Sequence, residues 1–258
     1  MLGLAIDSAN QTATAALWRD ARPGPNVDPK SDADCGAGAD FGAPAVLASE
    51  ALPPETVKAD QLILVIERLL REQGLGYQDL DMIAVNRGPG SFTGIRSAVA
   101  LVRGLALAAG LPVLGVTSHE AIAAGLGHDP VSGKTMIVLD ARRGEVYAQA
   151  FAADGHPRGE IEAKAPALVA AALSEGRWRL AGSGAALVAA QLADDRDVEI
   201  IETPPVDAGM VMLAAAGRLS AGETPAPGFA LKPLYVRAPD AVPPTPLISK
   251  SIVSEVLI

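Results

Sequence analysis

Residues 87–96, Arg-Gly-Pro-Gly-Ser-Phe-Thr-Gly-Ile-Arg, constrain this chain more than any other stretch. A buried-strand pattern, Met82 to Asn86, runs into them, and an apolar helical pattern from about Thr93 to Ala109 runs out. Gly88, Gly90 and Gly94 remove three Cβ atoms at this turn, so another backbone or a ligand can come close. The first N–H groups of the helix then face whatever sits there, with the positive end of the helix dipole behind them. Such a turn either cradles an anion or lets two helices, or two subunits, approach closely.

The rest of the chain supplies the partners of that unit. Leu2 to Ile6 reads as a buried strand, followed by the turn Asp7-Ser8-Ala9-Asn10-Gln11 and a second strand, Thr12 to Trp18. Residues 20–44 collect Pro, Gly, Asp and Ser and read as a loop insertion, after which Ala45 to Ser49 returns as a strand. A helix is predicted over 57–73 and a strand over 112–116. The order β-β-β-α-β-α-β is one half of a mixed α/β architecture. A second unit repeats the opening, with a strand at 135–139 ending in Asp140, the turn Ala141-Arg142-Arg143-Gly144, and a strand at 145–151. Helices are predicted at 166–174, 184–193 and 207–220, with a strand at 178–181. The expected organisation is an N-terminal unit 1–118, a C-terminal unit 119–240 and a tail 241–258, two similar α/β domains from a duplicated plan.

Several chemistries are tested by the residues present. A Walker loop ends Gly-Lys-Ser/Thr, whereas Gly94 is followed by Ile95 and Arg96. A dinucleotide turn needs an acid at the end of the next strand, and that strand ends Val116-Thr117-Ser118. A weak or vestigial anion site at Gly88, Gly90 and Thr93 stays open, beside the reading of the turn as support for its helix and a partner. Asp7 and Asp140 have the look of paired carboxylates holding magnesium in an ATPase, with Gly182 in Ala181-Gly182-Ser183-Gly184 as an adenosine-side turn. Their turns lack the open glycines phosphates need, so structural aspartates capping turns are the alternative. His119, His128 and His156 are scattered, without His-x-x-x-His spacing, and Ser91 does not sit in Gly-x-Ser-x-Gly. No catalytic residue and no metal ligand is predicted.

The helix after the glycine turn points to packing. At about 100° per residue, Ile95, Ala98, Val99, Leu101, Val102, Leu105 and Ala106 face a core. The other face holds Ser97, Ala100 and Gly104, edged by Arg96, Arg103 and Leu107. On the helix at 57–73, Leu64 falls among Glu67, Arg68 and Arg71. Together these read as a protein interface, with ordinary core packing as the alternative. The net charge of −9 argues against a broad nucleic-acid surface, although Arg87, Arg96, Arg142 and Arg143 remain available for a few phosphate contacts within a complex. One cysteine, Cys35, leaves no disulfide framework or cysteine zinc site. Without a basic leader or a segment of membrane-spanning length, a cytoplasmic location is expected.

The stretches LAIDSANQTATAALW (4–18), AVNRGPGSFTGIRSAVALVRGLALAAGLPVLGVTS (84–118), VLDARRGEVYAQAF (138–151) and KPLYVRAPDA (232–241) resemble the TsaB family. The glycine-turn block is the most specific of them. The resemblance implies the actin-like ATPase fold (ASKHA, ribonuclease H-like), with two similar domains. It also implies a catalytically silent dimerisation subunit that pairs with the active paralogue TsaD through the helices at 57–73 and 93–109. TsaD transfers threonylcarbamoyl to an adenosine beside the anticodon of tRNA, and the ATPase TsaE joins the assembly. tRNA would be met only through that complex, and the same face could make a homodimer when the subunit is alone. No cofactor is expected, beyond weak or vestigial ATP or ADP binding in the complex. The paralogue's metal histidines lie on the helix matching 57–73, where this chain reads Val57-Lys58-Ala59-Asp60-Gln61. Many family members keep one histidine there, so Lys58 is a departure. The rival reading is an active small-molecule kinase or ATPase of the same fold, using Asp7 and Asp140.

Overall fold

The computed structural model describes residues 1–21, 44–53, 59–127, 134–193 and 196–237. Expectations for most of the 20–44 insertion, Cys35, Lys58, His128 and the tail 241–258 lie outside the described residues.

The first five strands are β1 (Leu2–Asp7), β2 (Thr14–Arg19), β3 (Ala45–Ala51), β4 (Met82–Asn86) and β5 (Pro112–Val116). The next five are β6 (Lys134–Arg142), β7 (Glu145–Phe151), β8 (Pro157–Lys164), β9 (Trp178–Ala181) and β10 (Val198–Ile201), and a short β11 (Ala226–Pro227) follows. One sheet has the order β11-β5-β4-β1-β2-β3 and the other β10-β9-β6-β7-β8. In each, the leading strand (β1 or β6) pairs antiparallel with the next strand (β2 or β7) and parallel with the one two further on (β4 or β9). The same plan is therefore used twice, which is the duplicated actin-like architecture.

Among the described residues, six α-helices cover the sheets: α1 (Ala59–Glu72), α2 (Phe92–Ala109), α3 (Ser118–Leu126), α4 (Pro166–Ala172), α5 (Ala185–Ala189) and α6 (Ala208–Ser220). Alternation along β1 and β2 decides what each face of the first sheet meets. Leu4, Ile6, Ala15 and Leu17 point into a core closed by α1 and α2. Ala5, Ala16 and Trp18 point the other way, into a core shared with α3, α6 and the second sheet's Ile137, Phe151 and Ala181. Gly3 serves that second face, because a Cβ there would lie 2.3 Å from the Trp18 ring. The far side of the second sheet is closed by α4 and α5 over Val138, Val146 and Leu180. The layers thus run α1/α2, sheet, α3/α6, sheet, α4/α5. Strands β1–β5 and β6–β10 divide near residue 118, yet α6 packs on the first sheet and β11 joins it.

Helix α3 and strands β8, β10 and the two-residue β11 were absent from the sequence expectation. Helix α3 starts with a capping box, in which the Thr117 side chain accepts from Glu120 N while the Glu120 carboxylate accepts from Thr117 N. Strand β8 (Pro-Arg-Gly-Glu-Ile-Glu-Ala-Lys) is charged and exposed because it is a sheet edge, so it lacks the alternation of a half-buried strand. Strand β10 is a four-residue edge at the opposite side. The expected helix at 184–193 contracts to 185–189, and β6 runs past Asp140 to Arg142 through a register shift. Among the described residues α2 is long and apolar enough to cross a membrane, by length and composition only. Its inner residues Ile95, Ala98, Val99, Val102 and Ala106 are instead buried in the first core.

The glycines of the turn at 88–94 have an internal explanation. A Cβ on Gly94 would meet Ser8 O at 1.9 Å, and one on Gly90 would meet Ala9 O at 2.4 Å. The turn therefore sits directly against the β1–β2 turn, where Ser91 N donates to Ala9 O (2.7 Å). Gly104, in contrast, has nothing within 4 Å of its missing side chain. Gly94→Ala should cost at least ~2 kcal/mol or abolish folding. Gly104→Ala should stabilise by up to ~1 kcal/mol, since alanine is the better helix former. Urea denaturation of both variants distinguishes these outcomes.

Candidate functional site

Two regions collect the residues singled out by sequence. The first lies between the halves, a cleft of about 610 Å³ lined by Asn10, Gly90, Ser91, Asp140, Arg142 and Ser183, among others. Asp7 does not line it. That carboxylate is fully buried at the end of β1, where Asn86 Nδ2 donates to Oδ1 (2.6 Å), Ala9 N to Oδ1 (3.3 Å) and Asn10 Nδ2 to Oδ2 (3.2 Å). Asn86 also donates to Ser118 Oγ (3.0 Å), and the Ser118 hydroxyl donates to Pro89 O (2.7 Å). Asn10 Nδ2 reaches on to Val206 O (2.9 Å), just before α6. The network therefore ties β1, β4, the glycine turn, α3 and the approach to α6 together.

Asp140 is differently placed. Its Oδ1 accepts from Arg142 N (2.8 Å), its Oδ2 lies 3.6 Å from Arg142 Nη1, and its own N–H donates to Ser183 Oγ (3.1 Å). Arg142, Arg143 and Gly144 all take positive φ (62°, 57° and 78°), so the β6–β7 turn is held in a conformation uncommon for arginine. Gly182 packs beneath the strand, since its Cβ would meet Val138 O at 2.5 Å. Gly88 is likewise enclosed, since a Cβ there would lie 2.9 Å from Ile95 Cδ1, while Thr93 is exposed on the first turn of α2.

The glycines at these positions do not form an open phosphate loop. The two aspartates are separated into a buried hub and a turn cap. The glycines at 88, 90, 94 and 182 receive neighbouring protein atoms where a phosphate loop would leave room. Gly94 N donates to Ser91 Oγ (3.3 Å) and Ser91 N to Ala9 O, so both amides are already engaged. No group of three or more His, Cys, Asp or Glu able to hold a metal occurs among the described residues.

The second region is the outer surface of α1 and α2. Leu64 is 53% exposed and Leu107 is 86% exposed. Arg68 is paired with Glu50 on β3 through both guanidinium and carboxylate ends. Along α2, Arg96, Ala100, Arg103 and Gly104 are exposed and Ser97 is half-buried, and α1 and α2 close the same core. Sequence reasoning missed Phe92 and Tyr235, which join Arg96 there: the Arg96 guanidinium carbon lies 3.7 Å from the Phe92 centroid. It also missed Asn86 and Ser118, the partners of Asp7. A polar residue closing the apolar run Met-Ile-Ala-Val-Asn was the available signal for Asn86.

The deciding comparison is a family model described as TsaD: tRNA N6-adenosine threonylcarbamoyltransferase, which matches residues 53–204. The chain belongs to the TsaD/TsaB family. Within the family, it is 31% identical over 144 residues to the Escherichia coli tRNA threonylcarbamoyladenosine biosynthesis protein TsaB, covering 56% of this chain and 52% of that protein. The chain thus spans about half the length of that relative. It is 37% identical over 186 residues to an uncharacterised protein of Mycobacterium bovis, covering 72% of this chain and 77% of the other. The fold is also that of YeaZ from Pseudomonas aeruginosa, with a TM-score of 0.68, 24% identity, and 91% and 99% of the two chains covered.

Two buried titratable groups give the junction between the halves a pH signature. Burial pushes the Asp7 carboxyl up to about 7 from 3.8, against its hydrogen bonds from Asn86, Ala9 and Asn10, with the Asp207 charge adding to the rise. Burial drives His119 down to about 4 from 6.5, although its Nε2 lies 3.1 Å from Tyr147 O. Its Nδ1 has no partner. Native Asp7 keeps a proton that the unfolded chain releases, so its contribution is present at low pH and lost as pH rises towards 7. Native His119 refuses a proton that the unfolded chain takes, so its contribution is present above about 6.5 and lost as pH falls towards 4. The two slopes oppose each other. Relative to wild type, Asp7→Asn should lose stability on acidification from pH 6.5 to 4.5, by up to ~1.4 kcal/mol per pH unit, and His119→Gln should gain it. Urea midpoints across that range check both signs.

Proposed function

We propose that this chain is a non-catalytic partner subunit in the formation of threonylcarbamoyladenosine in tRNA. It pairs with a TsaD-type transferase through the outer faces of α1 and α2. The observation that carries this reading is the exposed surface of α2. Ala100 and Gly104 leave a shallow, side-chain-poor strip beside the exposed Leu107, and α1 carries the exposed Leu64. A helix of the partner can lie close along such a strip, and burying the two leucines would contribute roughly 1.5–3 kcal/mol each. Arginine at its margin suits an interface rim.

In this role the subunit holds the active paralogue in its working conformation and adds to the surface on which TsaE docks. tRNA is engaged through the assembly, and the same face forms a homodimer when the partner is missing. The packed glycine turn supports a chain that acts by pairing, because its close contacts are spent inside the fold. The cleft beside Asp140 and Ser183 favours a second reading, a small-molecule kinase or ATPase. Calorimetry with magnesium-ATP separates the two, since micromolar binding lost in Asp140→Ala would favour the kinase.

The pairing reading is tested by mixing the purified protein with TsaD from the same source and measuring co-elution by size-exclusion chromatography. A stoichiometric complex is expected, weakened more than tenfold by Ala100→Trp in a variant that melts like wild type. Absence of a complex, with TsaD fully active alone, would overturn the reading.

A further inference from the structure

Arg96 is held differently from the described arginines that pair with carboxylates. Arg68, Arg142, Arg177, Arg218 and Arg237 each face a carboxylate, on Glu50, Asp140, Glu199, Glu223 and Glu145. No described carboxylate faces Arg96. Its guanidinium carbon instead lies over Phe92, 3.7 Å from that ring's centroid, and 5.4 Å from the centroid of Tyr235. Its Nε donates to the Tyr235 hydroxyl at 2.7 Å. The rings are 5.9 Å apart and tilted by 45°. Both remain about half exposed, Phe92 at 57% and Tyr235 at 50%.

This arrangement fixes a cation without neutralising it. The phenol is a neutral acceptor and engages one of five N–H donors, so the two terminal nitrogens keep their fork for another acceptor. Ordering the long side chain before any partner arrives removes much of the entropy that binding would otherwise cost. Arginine stacked among aromatics is also the composition of interface hot spots.

The same helix cannot supply the missing counter-charge, because α2 contains no Asp or Glu between Phe92 and Ala109. The basic Arg103 lies further along the same exposed side. A symmetric pairing of two α2 helices about Ala100 would bring Arg96 of one copy towards Arg103 of the other, so the homodimer formed when the partner is missing is the weaker pairing. A nucleic-acid phosphate is disfavoured by the chain's net charge of −9.

We propose that Arg96, preassembled by Phe92 and Tyr235, is the polar anchor of the α2 face and receives a carboxylate from a helical surface of a different protein. The contact is a two-nitrogen, two-oxygen pair formed beside the Ala100–Gly104 strip. The segment carrying Tyr235 belongs to the interface with it. This inference rests on the pairing reading and names the chemistry the partner must present.

Biolayer interferometry with immobilised TsaD tests it, using Arg96→Lys, Tyr235→Phe, the double variant and Ala100→Trp, each checked for wild-type melting. Arg96→Lys keeps the charge and loses the fork and the stack, so affinity should fall at least tenfold, mainly through faster dissociation. Tyr235→Phe should weaken binding several-fold, and the double variant should be no weaker than Arg96→Lys alone, because both act on one contact. If Ala100→Trp abolishes pairing while Arg96→Lys and Tyr235→Phe bind like wild type, the anchor is wrong and the pairing reading stands. If Ala100→Trp binds like wild type, the pairing reading itself fails. Loss of tRNA binding, or of self-association, in Arg96→Lys with TsaD affinity unchanged would assign the fork to a phosphate or to a second copy, and would overturn the proposal.

Discussion

The close approach of the glycine turn to the β1–β2 turn sets the rest of the structure. Gly94 stands where any side chain would collide with Ser8 O, and Ser91 N donates to Ala9 O across the same contact. This fixes where α2 begins and how it is rotated about its axis. Once Ile95 and Val102 are turned into the first core, Arg96, Ala100 and Gly104 must face outward, because about 100° separates successive residues. The contact thus fills the space of a would-be phosphate site and exposes the strip on the helix.

Beneath that contact lies a polar hub that has little room for error. Asp7, Asn86, Asn10 and Ser118 satisfy one another in a region shielded from water, and Asn10 extends the network to Val206. Such networks specify a geometry more than they add stability, because each unpaired member would be costly. Two further bonds join the halves in the same neighbourhood: Ala208 N donates to Thr14 Oγ1 at 2.8 Å, and Arg218 donates to Gly115 O at 2.7 Å. The halves are held by α6 and these bonds, while their duplicated sheets supply rigid backing on either side.

Much of this was legible before any coordinates. The strands at 82–86, 112–116, 145–151 and 178–181 follow directly from apolar runs bounded by turns, and the core side of α2 follows from its periodicity. The repeated strand-Asp-turn-strand opening corresponds to the repeated sheet order. Edge strands β8 and β10 were not legible, because exposure removes the hydrophobic signal that marks interior strands. Helix α3 was legible in principle through Thr117 and Glu120. The aspartates show the limit of local reading: Asp7 and Asp140 occupy matching places in sequence, yet only three-dimensional packing sends one into a hub and the other to a cleft. The Phe92–Arg96–Tyr235 cluster joins residues 139 positions apart, and no local pattern anticipates it.

The central claim is that the outer face of α1 and α2, rather than the cleft between the halves, is where this chain meets its ligand. Hydrogen exchange of the protein alone and mixed with TsaD addresses it directly. The account predicts new protection of amides in α1, in the exposed turns of α2 and around Tyr235, with amides at 9–11, 140–144 and 182–184 exchanging as before. Protection confined to those cleft segments, or appearing there with magnesium-ATP alone, would contradict it.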